Sequence, residues 1–162
     1  MIVQYYKPNS KNTGCAFSFD IGPNQKNQEP CVFIRAIKQF SWNDKTRTGS
    51  FSENSRSPDK PISLKFNEIE IGGLINAIVN YCDFSAFHSF QDNKTSLSFK
   101  PYTKKDGTRA FSFGVTRNSA NKFGIGIEMG EAYGLLEFLR VYLQELYLHR
   151  LQKAKEYKEA RA

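Results

Sequence analysis

The chain has 162 residues, of which 23 are Lys or Arg and 16 are Asp or Glu, so its formal net charge at neutral pH is +7. This length suits one domain, and the excess of cations favours a polyanionic partner. No apolar run is long enough to cross a bilayer and the N-terminus lacks the features of a signal peptide, so we expect a soluble, cytoplasmic protein without a membrane partner.

Periodicity in the first half of the chain predicts four strands and one helix. Polar and apolar residues alternate, or short apolar runs are bounded by turn residues, at each strand. Asn67 can cap the helix, which spans 67–81, because Glu68 and Glu70 suit its positive end. The stretch 40–60 is polar and rich in turn residues, so we expect it, like the N-terminus, to be mobile. The strands are predicted at residues 17–21, 31–39, 48–52 and 62–66.

The second half repeats this order of elements. The pair Asp106 and Gly107, between two alternating runs, is a strong hairpin signal, and a long helix begins at about Gly130. Short sequence echoes occur in the same order in both halves. We therefore predict an α+β single domain, with two antiparallel sheets and two helices, made of the pseudo-repeats 1–82 and 83–162. The second set of strands is predicted at residues 84–90, 95–102, 109–117 and 122–128.

Residues that would support catalysis, a disulfide or a metal site are sparse. Cys15, Cys31 and Cys82 are odd in number and show no CxxC spacing, so we expect buried, reduced thiols. Two histidines and scattered acidic residues predict neither a metal site nor a cofactor. Phosphate-binding loops, HExxH and GxSxG are absent from the sequence, so we expect no enzymatic activity.

Basic residues on the predicted strands and loops suit a single-stranded nucleic acid, because cations follow the phosphates while ring faces stack the bases. Ten basic residues occupy strands or loops from which they can reach a surface. The predicted phosphate contacts are Arg35, Lys38, Lys45, Arg47, Lys65, Lys100, Lys104, Lys105, Arg109 and Arg117.

Aromatic residues interleave with these cations. Trp42 lies among cations in a polar loop next to Phe40, where burial is difficult to arrange, and Tyr102 shares the surface side of its predicted strand with Lys100. Phe111 and Phe113 share a strand face that Arg109 and Arg117 flank, so they either stack bases or pack under the helices. The predicted stacking residues are Phe40, Trp42, Tyr102, Phe111 and Phe113.

The tandem of four antiparallel strands and a helix resembles the Whirly fold of single-stranded DNA- and RNA-binding proteins. It is also similar to the positive-cofactor single-stranded DNA-binding proteins and to viral replication proteins of that plan. The resemblance covers about residues 14–150 as topology. The Lys-Gly-Lys-Ala-Ala-Leu motif of plant Whirly proteins is absent, and residues 35–38 (Arg-Ala-Ile-Lys) occupy a comparable strand.

The Whirly resemblance implies binding with little sequence preference, bases against strand surfaces, and helices packed inside a homo-oligomer, a dimer or a tetramer. The leading hypothesis is a protein that coats or anneals single-stranded DNA in replication, recombination or repair. One alternative is a structural protein that assembles through its C-terminal helix, and another is an RNA-binding regulator. Abundant Asn, Lys and Phe favour a phage or bacterial source.

Overall fold

The computed structural model describes residues 1–161 and arranges them in two four-stranded antiparallel sheets, a two-stranded hairpin and two α-helices. A 3-10 turn, Ser52–Arg56, follows the hairpin. The helices are α1 (Glu68–Asn80) and α2 (Met129–Glu159). The strands are β1 (Ile2–Lys7), β2 (Cys15–Pro23), β3 (Pro30–Lys38), β4 (Ser41–Asn43), β5 (Thr48–Ser50), β6 (Pro61–Phe66), β7 (Phe84–Phe90), β8 (Asn93–Thr103), β9 (Arg109–Arg117) and β10 (Asn121–Glu128).

Both halves have the same topology. Sheet 1 has the order β1-β2-β3-β6 and is followed by α1, while sheet 2 has the order β7-β8-β9-β10 and is followed by α2. Each sheet strand pairs with the sheet strand before it in the chain, which is the arrangement that short connections favour. The predicted α+β class, with its tandem of four strands and a helix, is confirmed.

Two predictions for the first half of the chain, a mobile N-terminus and a strand at 48–52 in the main sheet, are corrected by the structure. The N-terminal residues are not a mobile end but form β1, which pairs with β2 so that Tyr5 lies opposite Phe17 and faces the core. The predicted strand 48–52 does not join sheet 1, because Thr48–Ser50 pairs instead with Ser41–Asn43 in the separate β4–β5 hairpin. The signal for β1 is its alternation, since Val3 and Tyr5 turn inward while Ile2 and Gln4 turn outward.

The two sheets share one apolar core. The ring of Phe113 in sheet 2 lies 5.1 Å from that of Phe17 and stacks on that of Phe19 at 5.7 Å, both in sheet 1. Within sheet 2, Phe99 and Phe111 stack at 4.5 Å. Buried residues of both helices belong to the same cluster. Burying a Phe side chain is worth about 1.5–3 kcal/mol, so these contacts are the main force that holds the halves together.

Polar contacts fix α2 against the first half at two points. Near its start, the Tyr5 hydroxyl donates to the Glu131 carbonyl oxygen at 3.0 Å and Lys7 pairs with the Glu131 carboxylate at 2.5 Å. Farther along, Arg150 pairs with Glu29 at 3.1 Å and with Glu68 at 2.5 Å. The helix has 31 residues and is therefore about 46 Å long. Its residues beyond Arg150 are exposed.

The stretch 40–60, predicted to be mobile, is instead tied to β3 by two buried amides. Gln39 accepts from the Asn9 backbone N–H at 2.9 Å and donates to the Asn9 and Ser41 carbonyls, each at 3.0 Å. Asn54 donates to the carbonyl oxygens of Lys38 and Gln39 at 3.0 and 3.1 Å. These bonds take up backbone groups that the sheets leave unpaired.

All three cysteines are free thiols, with Cys15 and Cys31 buried and Cys82 half-buried. Burial raises the pKa of the Cys15 and Cys31 thiols. Across residues 1–161, no three His, Cys, Asp or Glu side chains are grouped as a metal site would require. None of the helices described has the length and apolar character needed to cross a membrane.

Candidate nucleic-acid interface

The outer face of sheet 2 is open to solvent. The alternate residues of its strands point toward the core, on the side where both helices pack. On β8, β9 and β10 its residues are small or basic, apart from Tyr102, Thr116 and Glu128, and the edge strand β7 adds the exposed ring of Phe87. The small residues leave the backbone accessible over a wide area. We define the outer face of sheet 2 as Ser85, Phe87 and Ser89 of β7, Lys94, Ser96, Ser98, Lys100 and Tyr102 of β8, Ser112, Gly114 and Thr116 of β9, and Lys122, Gly124, Gly126 and Glu128 of β10.

Tyr102 lies across this face toward β10. A Cβ atom built on Gly126 would lie 3.0 Å from the Tyr102 hydroxyl oxygen, so the side chain passes above that glycine. The ring borders an open depression of about 450 Å³ whose other walls include Ser112 and Gly124. The Tyr102 carbonyl accepts a hydrogen bond from the Tyr81 hydroxyl at 2.6 Å, which holds the strand in place. An aromatic ring beside a floor of Gly and Ser can take a planar base.

A second concavity lies where β10 crosses the ends of β2 and β3. Its volume is about 550 Å³, and its lining includes three lysines but no acidic residue. Lys38 Nζ lies 5.1 Å from the centre of the Phe123 ring, in the geometry of a cation–π contact. Phe40 is half-exposed at its rim. We call it the inter-sheet cleft, lined by Asn12, Thr13, Gly14, Cys15, Lys38, Gln39, Phe40, Asn54, Lys60 and Lys122.

The depression and the inter-sheet cleft adjoin along β10. Lys122 lines the cleft and Gly124 lines the depression, and two residues apart on a strand they point to the same side. The cleft is held by contacts between the halves, including a 2.6 Å hydrogen bond from the Asn121 side chain to the Asp59 carbonyl oxygen. Together the two concavities form a basic track with Tyr102 near one end and Phe40 near the other.

Arg35 and Lys65 lie on the outer face of sheet 1. Ser18 and Ser63 flank Arg35 in register, and the Arg35 guanidinium donates to the Ser55 carbonyl oxygen at 3.0 Å. Arg35 also lines a cleft of about 420 Å³. The half-exposed Tyr6 ring lines this cleft too and lies 5.8 Å from the ring of Phe51. These residues form a separate surface from the basic track.

The β4–β5 hairpin carries Trp42, Lys45 and Arg47. Trp42 is half-buried and its indole N–H donates to the Asp44 carboxylate at 2.9 Å, so its polar edge is already occupied. Lys45 and Arg47 are exposed in the turn. The structure therefore places these predicted site residues on the separate β4–β5 hairpin rather than on either sheet face.

Cations in and beside the β8–β9 turn are partly engaged within the chain. Lys104 pairs with Glu128, and this hydrogen bond raises the pKa of the Lys104 ammonium. The Arg109 guanidinium stacks on the Tyr81 ring at 3.6 Å from its centre. Lys105 is exposed. Of the three, Lys105 has the most freedom to meet a phosphate.

Phe111 and Phe113, which were among the predicted stacking residues, are buried and cannot stack a base. Both are 0 % exposed, because their face of β9 turns inward and meets Phe17 and Phe99. Their place in the core matches the alternative that they pack inside the protein. Arg117 ends the same inward row half-buried, and its Nε has no hydrogen-bond partner among residues 1–161.

Three residues that the sequence reasoning did not select have prominent places on these surfaces. Lys122 joins the two parts of the basic track, Lys60 lines the inter-sheet cleft and Tyr6 lines the cleft on sheet 1. Lys122 could have been found, because it alternates with the buried Phe123 along β10. Lys60 lies in a loop without periodicity, so only the tertiary fold reveals its place.

No family model and no curated protein matches the chain. Among solved structures, the chain is similar to the crystal structure of WHY1 from Arabidopsis thaliana, with a TM-score of 0.61 and 12% sequence identity. The match covers 100% of this chain and 94% of that chain. The similarity extends over both sheets and both helices, so the Whirly-like fold expected from the order of the elements is confirmed.

Proposed function

We propose that the chain is a non-enzymatic protein that binds single-stranded nucleic acid, DNA above all, along the basic track. The observation that carries the proposal is the continuity of the outer face of sheet 2 with the inter-sheet cleft. This track offers the two groups that a single strand needs, ammonium groups for phosphates and ring faces for bases. The Whirly-like fold and the net charge of +7 support it.

In this proposal the phosphates follow Lys100, Lys122, Lys38 and Lys60. A base lies against Tyr102, and another meets Phe40 at the rim of the cleft. Stacking accepts any base, and the serine hydroxyls on the floor can rotate to donate or accept, so the chain binds with little sequence preference. A duplex hides its base faces, so it offers only its phosphates to this track.

We propose that the protein coats or anneals strands in replication, recombination or repair and works as a homo-oligomer, a dimer or a tetramer. Exposed apolar residues on the second half of α2, among them Leu148 and Leu151, favour assembly. A cytoplasmic location and a phage or bacterial source stay predictions from composition.

The proposal is tested by fluorescence anisotropy of labelled oligo-dT, oligo-U and duplex DNA of equal length, titrated at several salt concentrations. Oligo-dT should bind more tightly than duplex, and its affinity should fall with salt by a log–log slope of about −0.7 per phosphate contact. Stronger binding of oligo-U would make RNA the ligand. Equal binding of duplex, or binding that ignores salt, would contradict the proposal.

Lys122→Gln locates the interface. Losing one phosphate contact should weaken oligo-dT binding and reduce the magnitude of the salt slope by about 0.7. Lys26→Gln is the matched control, because Lys26 is exposed on the β2–β3 loop, at the opposite end of that hairpin from Cys15 and Lys38. If both variants bind alike, the strand lies elsewhere on the protein.

A further inference from the structure

β7 is an edge strand without the usual protection. It pairs only with β8, and residues 84–90 make no other backbone–backbone hydrogen bond in the part of the chain described. Exposed edges normally carry Lys or Pro, which prevent pairing with other chains. The β6 edge carries Pro61 and Lys65, and the β10 edge carries Lys122. The seven residues of β7 include no Lys, Arg, Asp, Glu or Pro.

Two large apolar side chains on β7 are in water. Phe87 is 64% exposed and Phe90 is 73% exposed. The inner side of the strand is supported by α1, where Glu70 lies 2.7 Å from His88 and Phe84 packs against Gly73. The edge is therefore held in a fixed, extended shape while its unpaired backbone and two rings remain free.

The sequence of β7, Phe-Ser-Ala-Phe-His-Ser-Phe, is nearly the same when read in either direction about Phe87. When two copies run antiparallel with their Phe87 residues opposite each other, Ser85 of one copy meets Ser89 of the other and Phe84 meets Phe90. Only the pair of Ala86 with His88 joins unlike residues. Like residues thus pair across a two-fold axis, as a self-complementary interface requires.

We propose that two copies of this chain join edge to edge through β7, in antiparallel register centred on Phe87. The two copies of sheet 2 then form one eight-stranded sheet, and each Phe90 is covered by the other copy's Phe84. The outer faces of sheet 2 become continuous, about 38 Å across at the usual strand spacing. This inference concerns self-association alone and does not depend on what the basic track binds.

The oligomeric state is measured by light scattering on a sizing column without nucleic acid. The wild-type chain should be a dimer or a multiple of one, and Phe87→Lys should halve the mass because it places like charges directly opposite each other. Ser96→Lys adds the same charge on β8 opposite Phe87, away from the edge, and should keep the wild-type mass. A monomeric wild type, or an unchanged mass for Phe87→Lys, would overturn the inference.

Cysteine pairing tests the register in a Cys82→Ser background. Phe87→Cys should form a disulfide-linked dimer under mild oxidation, because directly opposite residues have Cβ atoms about 4.5–5.5 Å apart. Ser85→Cys and Ser89→Cys should each fail alone, since like positions then lie about 13 Å apart, but should cross-link when mixed. Equal cross-linking at all three positions, or none at position 87, would contradict the register.

Discussion

Tyr102 and Trp42 were both predicted to stack bases, but the structure gives their rings different surroundings. Tyr102 lies beside a floor of glycine and serine on the outer face of sheet 2, near Lys100. Trp42 is half-buried on the β4–β5 hairpin, with its N–H already bonded to Asp44. Tyr102 therefore becomes the principal stacking residue of the proposed interface.

Tyr102→Ala should weaken oligo-dT binding by about 1–3 kcal/mol, the range for one stacked base. Tyr102→Phe should bind like the wild type, because the ring supplies the stacking. The salt slope should stay the same in both variants, since no cation is lost. Anisotropy titrations at several salt concentrations measure affinity and slope together. A similar loss in Tyr102→Phe would show that the hydroxyl, rather than the ring, contacts the strand.

The buried tyrosines predict an alkaline limit to stability. Burial raises the pKa of Tyr142 to about 12, from its ordinary value of 10.0, and burial followed by the charge of Glu131 raises the pKa of Tyr5 similarly. Between these values the unfolded chain releases a proton that the folded chain keeps. The free energy of unfolding should therefore fall as pH rises from about 10 to 12.

Tyr142→Phe should make the free energy of unfolding fall less steeply with pH, and the remaining pH dependence should come from Tyr5. Urea unfolding at several pH values measures the effect, and Tyr147→Phe is the control because Tyr147 is exposed. If Tyr142→Phe shows the same pH dependence as the wild type, the Tyr142 hydroxyl does not remain protonated in the folded core.

At the scale of elements, the sheet strands with regular alternation could be predicted and the hairpin could not. Leu97 and Phe99 lie inward while Lys100 and Tyr102 lie outward, as the pattern of β8 indicated. Residues 40–60 lack such a pattern, and the buried amides Gln39 and Asn54 hold this stretch in place through hydrogen bonds to the backbone. A polar residue that bonds distant backbone groups looks the same in sequence as one that faces water.

Gln39→Leu should lower the free energy of unfolding by roughly 2–4 kcal/mol. It leaves the buried Gly14 N–H and part-buried backbone groups of Asn9 and Ser41 without their partner. An unpaired buried group costs about 1–3 kcal/mol, and the cost is smaller at Asn9 and Ser41 because water can reach them. Urea denaturation measures the change, with Gln25→Leu as the exposed control. Equal stability of the two variants would show that water replaces these hydrogen bonds without cost.

At the scale of the whole molecule, strand alternation defines two faces but does not say which face meets the core. Phe111 and Phe113 share a face with Arg109 and Arg117, and this pattern suits both an aromatic binding surface and a buried row that ends in cations. Which face of β9 is buried depends on how sheet 1 packs, because Phe17 of sheet 1 covers Phe113. The basic track likewise forms only in the folded molecule, because Lys38 and Lys122 come together only when the two halves pack.

Phe113→Ala separates the two roles of this row. Phe113 contacts Phe17 and Phe19 across the sheets, so its truncation should cost about 3–5 kcal/mol of stability. Unfolding should remain a single transition, since both halves share one core. Phe40→Ala, which removes a half-exposed ring, should change stability by less than about 0.5 kcal/mol.

Oligo-dT binding by the folded fraction of Phe113→Ala should equal that of the wild type, because a ring with no exposed surface cannot stack a base. Phe40→Ala should show the opposite pattern, with stability kept and affinity lowered. Denaturation and anisotropy measured on the same two samples give both quantities. A loss of affinity in Phe113→Ala without a loss of stability would return Phe113 to the binding surface and place this face of β9 outside the core.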